Sequence, residues 1–141
     1  MGNQQTVLNK INFEDMRSVI EKKSDNYILI NTLPVNDQTC LIPTTTKIEL
    51  EETIINKNID NQKVHIIIYG KNTNDNTVLN RYKQLLALGF LHIYVYPGGI
   101  FEWLCLQDIY GADIFPTTTQ QMDLLKFKPS SGLISKKLIE N

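Results

Sequence analysis

Cys40, Cys105, His65 and His92 are the residues of this 141-residue sequence best suited to act as nucleophiles, bases or metal ligands. They lie far apart, and neither a CxxC nor an HxxxH spacing occurs, so no zinc site and no disulfide framework is expected. No metal and no cofactor is expected. His65 falls inside an apolar run and His92 opens another, which suits packed, hydrogen-bonded histidines better than catalytic bases. Cys105 is expected as a small core residue. The more telling pattern is VHIIIY, residues 64–69, running into the polar stretch GKNTNDN, residues 70–76, and then into a helical segment. A strand, a polar loop and a helix start can converge backbone N–H groups on one anion.

The elements that would hold such a loop follow from periodicity. Asn12 with Asp15 predicts a capped helix, with Phe13, Met16, Val19 and Ile20 on one face up to Lys22 and Lys23. Residues 27–30 (YILI) predict a buried strand, closed by Asn31, Thr32 and Pro34. Residues 31–47, broken by Pro34 and Pro43, predict a long loop, and residues 50–56 a short helix with Ile54 and Ile55 inward. Residues 64–69 suit a central parallel strand covered on both faces. Residues 77–88 predict a helix whose stripe is Val78, Leu79, Tyr82, Leu85 and Leu86, with Gly89 as its C-cap and Asp75 as a candidate N-cap. Residues 92–96 (HIYVY) predict a strand, Pro97-Gly98-Gly99 a turn, and residues 100–109 a last helix ending near Gly111. Trp103 is expected in the core beneath that turn. Strands separated by helices imply βαβ units and a parallel sheet with helices on both faces.

Hydrophobic residues make up 42% and charged residues 21%, ordinary values for a globular chain with one core. The net charge of -1 supplies no field to recruit nucleic acid. Residues 1–10 are polar, no apolar run approaches a membrane span, and a reducing, cytoplasmic setting is expected.

The stretch from Ile66 to Trp103 resembles the rhodanese family, whose hallmark is a strand ending in an aromatic residue and cysteine, a loop closing with arginine, a helix, Gly-Phe, a strand, Gly-Gly and tryptophan. Upstream, YILINTLP takes the place of the family's first strand and Asp-x-Arg turn. CLIPTT, residues 40–45, takes the place of its G-H-I-P-G-A segment. The resemblance implies a three-layer α/β domain over residues 11–111, with a central parallel sheet flanked by helices. Residues 1–10 are then an N-terminal segment and residues 112–141 an extension packed on the domain, to which Leu124, Leu125, Phe127, Leu133, Ile134, Leu138 and Ile139 could contribute. It also implies a degenerate active-site loop: Gly70, Lys71, Asn72, Thr73, Asn74, Asp75 and Asn76. Gly70 stands in place of the persulfide-forming cysteine, Asp75 near the closing arginine and Thr73 at the loop glycine, with Lys71 expected to point to solvent. A persulfide needs a thiolate, which glycine cannot supply. The expectation is no catalytic residue, and an interaction or regulatory module for an unidentified protein partner. The alternative is a divergent sulfurtransferase that uses Cys40 or a partner's thiol.

Met1-Gly2-Asn3-Gln4-Gln5-Thr6 matches the N-myristoylation pattern, which makes Gly2 the candidate lipidation site. Membrane association is expected only if Gly2 is acylated, and one chain alone binds marginally. Lys126, Lys128, Lys136 and Lys137 read as a solvated face.

Overall fold

The computed structural model describes residues 8–134. Helix α1 (Phe13–Lys22) opens with the expected capping box: Asn12 Oδ1 accepts from the Asp15 N–H at 3.0 Å, and Asp15 Oδ2 accepts from the Asn12 N–H at 3.1 Å. Each satisfies an N–H that the first helical turn leaves without a partner.

Strands β1 (Tyr27–Asn31), β2 (His65–Tyr69) and β3 (His92–Tyr96) pair in parallel, in chain order, with β2 central. Single bridges widen both edges, Lys10 beside Val95 and Thr45 beside Leu29. Helices α2 (Ile48–Lys57), α3 (Asn76–Ala87) and α4 (Gly99–Tyr110) complete the domain. Alternate strand residues feed two apolar cores. Leu29, Ile67, Tyr69 and Tyr96 pack with Met16 of α1 and with Ile100, Trp103 and Leu104 of α4. Ile28, Ile30, Ile66, Ile68, Ile93 and Val95 pack with Ile55 of α2 and with Val78, Tyr82 and Leu85 of α3. Covering both faces is what makes the strands apolar throughout. The result is the three-layer α/β architecture with a central parallel sheet.

Several local expectations need correction. Leu86 is 43% exposed and does not share the α3 stripe. Leu88 is the C-cap of α3, and Gly89 follows it in a left-handed conformation. Asn31 continues β1 rather than closing it, and its buried amide is matched by Gln38 at 2.8 and 3.0 Å. The segment 31–47 holds a 3-10 turn (Val35–Asp37), and its Cys40, Leu41 and Ile42 are buried, which its polar composition did not suggest. Cys105 is half-buried rather than a core residue.

Residues 114–127 lie against the domain. Phe115 and a second 3-10 helix (Leu124–Phe127), through Phe127, enter the α1/α4 core. Leu125, Leu133 and Ile134 are exposed.

Candidate functional site

Residues 70–76 leave the carboxyl end of β2 and enter α3, the place where ligands of open parallel sheets bind. Gly70 has three close neighbours around the position a β-carbon would take: Asp75 Oδ2, Val78 Cγ2 at 2.7 Å and Thr32 Oγ1 at 2.8 Å. Asp75 caps α3 as expected, its Oδ1 accepting from the Thr77 N–H at 3.1 Å and from the Thr77 hydroxyl at 2.5 Å. The other oxygen, Oδ2, accepts from the Lys71 N–H at 2.9 Å. One carboxylate thus takes N–H groups from both ends of the loop, as a bound anion would.

Asn72 closes the loop on itself. Its Oδ1 accepts from the Asn74 N–H at 2.9 Å, while its Nδ2 donates to the Phe127 carbonyl at 2.9 Å. Lys71 is half-buried, and Thr73, Asn74 and Asn76 are exposed. On the far side, the Ile100 and Phe101 N–H groups at the start of α4 donate to the carbonyls of Gly70 and Lys71, at 3.0 and 2.9 Å. That approach requires Gly99, which sits at φ +65 with the Gly70 carbonyl oxygen where its β-carbon would be.

Thr32 and Thr77 also belong to the site, their hydroxyl oxygens lying 2.9 Å apart. Sequence reasoning missed both. Thr32 follows β1 and Thr77 follows Asn76, and neither position carries a period or motif that marks it.

Cys40 lies outside the loop, 3% exposed, its thiol donating to the Thr119 carbonyl at 3.4 Å. Burial pushes the thiol pKa above its usual value, against opposing hydrogen bonds from Thr117 and Thr119 and the charge of Lys126. Tyr69, which ends β2, uses its buried hydroxyl to hold the segment after Cys40: it accepts from the Ile42 N–H at 3.2 Å and lies 2.8 Å from Thr45 Oγ1.

The histidines sit at the opposite, amino end of the strands. His65 is stacked between Tyr27 and His92, with ring centroids 5.1 and 4.6 Å away, and its Nδ1 lies 3.3 Å from the Tyr94 hydroxyl. The expected packed, hydrogen-bonded reading of His65 holds, and the histidines do not meet the loop. Among the described residues no cluster of three or more His, Cys, Asp or Glu side chains could hold a metal ion. Gly2 lies outside the described residues, as do Lys136, Lys137, Leu138 and Ile139.

A family model described as the rhodanese-like domain matches residues 14–105. The chain belongs to that family. Solved structures resemble this rhodanese-like domain at the level of fold. A full-length protein from Lactobacillus plantarum superposes with a TM-score of 0.60 at 15% identity, covering 79% of this chain and 88% of its own. The BH2092 protein from Bacillus halodurans gives 0.57 at 22% identity, covering 69% and 72%. The single-domain sulfurtransferase RDL2 of Saccharomyces cerevisiae gives 0.52 at 19% identity, covering 80% and 99%. No curated protein matches the chain in sequence. Among the described residues, no helix of this rhodanese-like domain is long and apolar enough to cross a membrane.

Proposed function

We propose that this rhodanese-like domain works as a protein-interaction or regulatory module and carries out no sulfur transfer. The observation that carries the reading is the placement of Asp75. Its carboxylate stands beside the side-chain-less Gly70 and accepts the loop's Lys71 and Thr77 N–H groups. Sulfane transfer needs a thiolate at the loop and a cradle free to take an anion. Here residue 70 supplies no nucleophile, and a second anion would meet a carboxylate already using the donors. The loop's remaining contacts are structural ones, to α4 and to Phe127, and the function is carried by the surface.

The enzymatic alternative routes transfer through Cys40. Its burial, its raised thiol pKa and its hydrogen bond to Thr119 all speak for an unreactive thiol. Thiosulfate:cyanide and mercaptopyruvate assays discriminate the two. Turnover should not exceed buffer; turnover that disappears in Cys40→Ser would overturn the proposal.

The Met1-Gly2-Asn3-Gln4-Gln5-Thr6 motif adds a tether to the same reading, with Gly2 acylated and the module held at a membrane surface. Co-expression with an N-myristoyltransferase should raise the intact mass by one myristoyl group, and an unmodified mass would remove the tether.

A further inference from the structure

The loops after β1 and β2 and the helix after β3 all meet the chain's own segment 115–128. After β1, Asp37 pairs with Lys126 at 2.8 Å, and Leu41 exchanges bonds with Thr118, N–H to Oγ1 at 2.9 Å and carbonyl from N–H at 2.8 Å. After β2, Asn72 holds the Phe127 carbonyl. After β3, α4 receives the 3-10 helix Leu124–Phe127 against its side, and the Trp103 indole N–H donates to the Pro116 carbonyl at 2.7 Å. This is the crevice where an open parallel sheet presents its ligand site, and here a short turn of the same chain occupies it.

The way it is held is that of a bound peptide. Phe127, 2% exposed, buries its ring in the α1/α4 core, and the Lys126 ammonium lies 5.4 Å from that ring's centroid while it pairs with Asp37. A buried aromatic anchor, a rim ion pair and a side-chain amide on the peptide carbonyl make a recognition set for a basic–aromatic dipeptide. Residues 116–119 are bonded to the domain, whereas residues 120–123 are largely exposed and their hydrogen bonds stay within the segment, the Asp123 N–H donating to Gln121 Oε1 at 3.1 Å. Segments with few buried contacts and few backbone bonds open without global unfolding.

We propose that the mouth at the carboxyl ends of the strands is a peptide groove for a basic–aromatic segment of a partner protein, closed in cis by Lys126 and Phe127. This rests on the reading of the domain as an interaction module and names the ligand class of that face. A partner segment binds when it displaces the cis turn, so the intact chain is the closed state. The cis turn competes at the high effective concentration of a tethered ligand.

The test uses the full chain carrying Lys126→Glu with Phe127→Ala, and a peptide of residues 120–128 (QQMDLLKFK). Trp103, the chain's single tryptophan, shares the core cluster with Phe127 and reports occupancy by its fluorescence, with calorimetry as a second readout. The opened variant should bind the peptide saturably and at least roughly tenfold more tightly than the wild-type chain, and a peptide carrying Phe127→Ala should lose about as much. A folded variant that shows no saturable binding overturns the proposal, as does equal binding by both chains. Dimerisation of the wild-type chain by exchanged segments, seen as a doubled mass in light scattering, would make a second copy the occupant and overturn it too. Should the variant not fold, hydrogen exchange on the wild-type chain decides. Amides of residues 117–128 should exchange well before those of β2, and exchange only with global unfolding would sink the idea. Sulfane turnover would instead sink the functional reading, so the two failures are separable.

Discussion

Asp75 reaches back beneath Gly70, its Oδ2 accepting the Lys71 N–H at 2.9 Å from the space that a side chain on residue 70 would occupy. The two positions are therefore one structural decision. A loop whose donors converge can hold an external anion or an internal one, and this chain carries the internal one.

Coupling between these positions is directly measurable. Gly70→Cys alone should destabilise the domain, because its β-carbon meets Asp75, Val78 and Thr32 at once. Asp75→Ala alone should cost about 1–2 kcal/mol, the usual loss for a helix cap. The double variant Gly70→Cys with Asp75→Ala should be less destabilised than the sum, since removing the carboxylate vacates the added side chain's place. Urea unfolding of the four chains gives the coupling, and strict additivity would refute the shared space.

Thr44 offers a stabilising change. It sits at φ +71, and a β-branched residue in the left-handed region is strained by about 1–3 kcal/mol. Thr44→Gly should stabilise the fold by about 1 kcal/mol after glycine's own entropic cost. An unchanged or lower urea midpoint would count against the strain.

Gly99→Ala should have the opposite effect. Its φ of +65 and the carbonyl of Gly70 leave no room for a methyl group, and the Lys71 carbonyl carbon follows at 2.9 Å. A loss of about 2 kcal/mol or more is expected, from left-handed strain plus displacement of α4 from the loop. Thermal or urea unfolding checks it, and the Phe101 amide should lose exchange protection in the same variant.

A pH effect should trace to His65. Burial first, and then the neighbouring His92, hold its imidazole below the ordinary 6.5. The folded state then binds fewer protons than the unfolded chain between the depressed value and 6.5, so stability rises with pH across that window. This contribution is complete above the unfolded value, is lost as pH falls, and levels off below the folded one. Unfolding midpoints of wild type and His65→Phe, compared at acidic and mildly alkaline pH, should show a shallower rise in the variant.

The thiols should react in order of exposure. Cys40 is buried with its pKa raised chiefly by that burial, whereas Cys105 is half-buried, its pKa also raised, first by burial and then by Asp108 and Glu102. Both should alkylate slowly near neutral pH, and peptide mapping should find Cys105 labelled first. Faster labelling of Cys40 would reopen the case for it as a nucleophile.

Most elements were legible from the sequence because their signals are local. The run VHIIIY announces a strand covered on both faces, Asn12 with Asp15 announces a cap, and Asp75 before Thr77 announces the start of α3, since each depends only on neighbours within a turn or a pleat. Leu86 was misplaced for the complementary reason. A helical stripe has fuzzy margins, and which leucine reaches the sheet depends on how α3 is rotated against β2 and β3.

At the site, the sequence by itself determined what residue 70 lacks and that a carboxylate stands at position 75. Only the tertiary structure decided that this carboxylate fills the place beside Gly70, that Thr32 joins from the segment after β1, and that Lys126 and Phe127 lie over the crevice. Those relations join residues far apart in the chain, and no periodicity encodes which loop a distant segment will cover. They are fixed when the sheet, by pairing β1, β2 and β3, brings three strand ends to one edge.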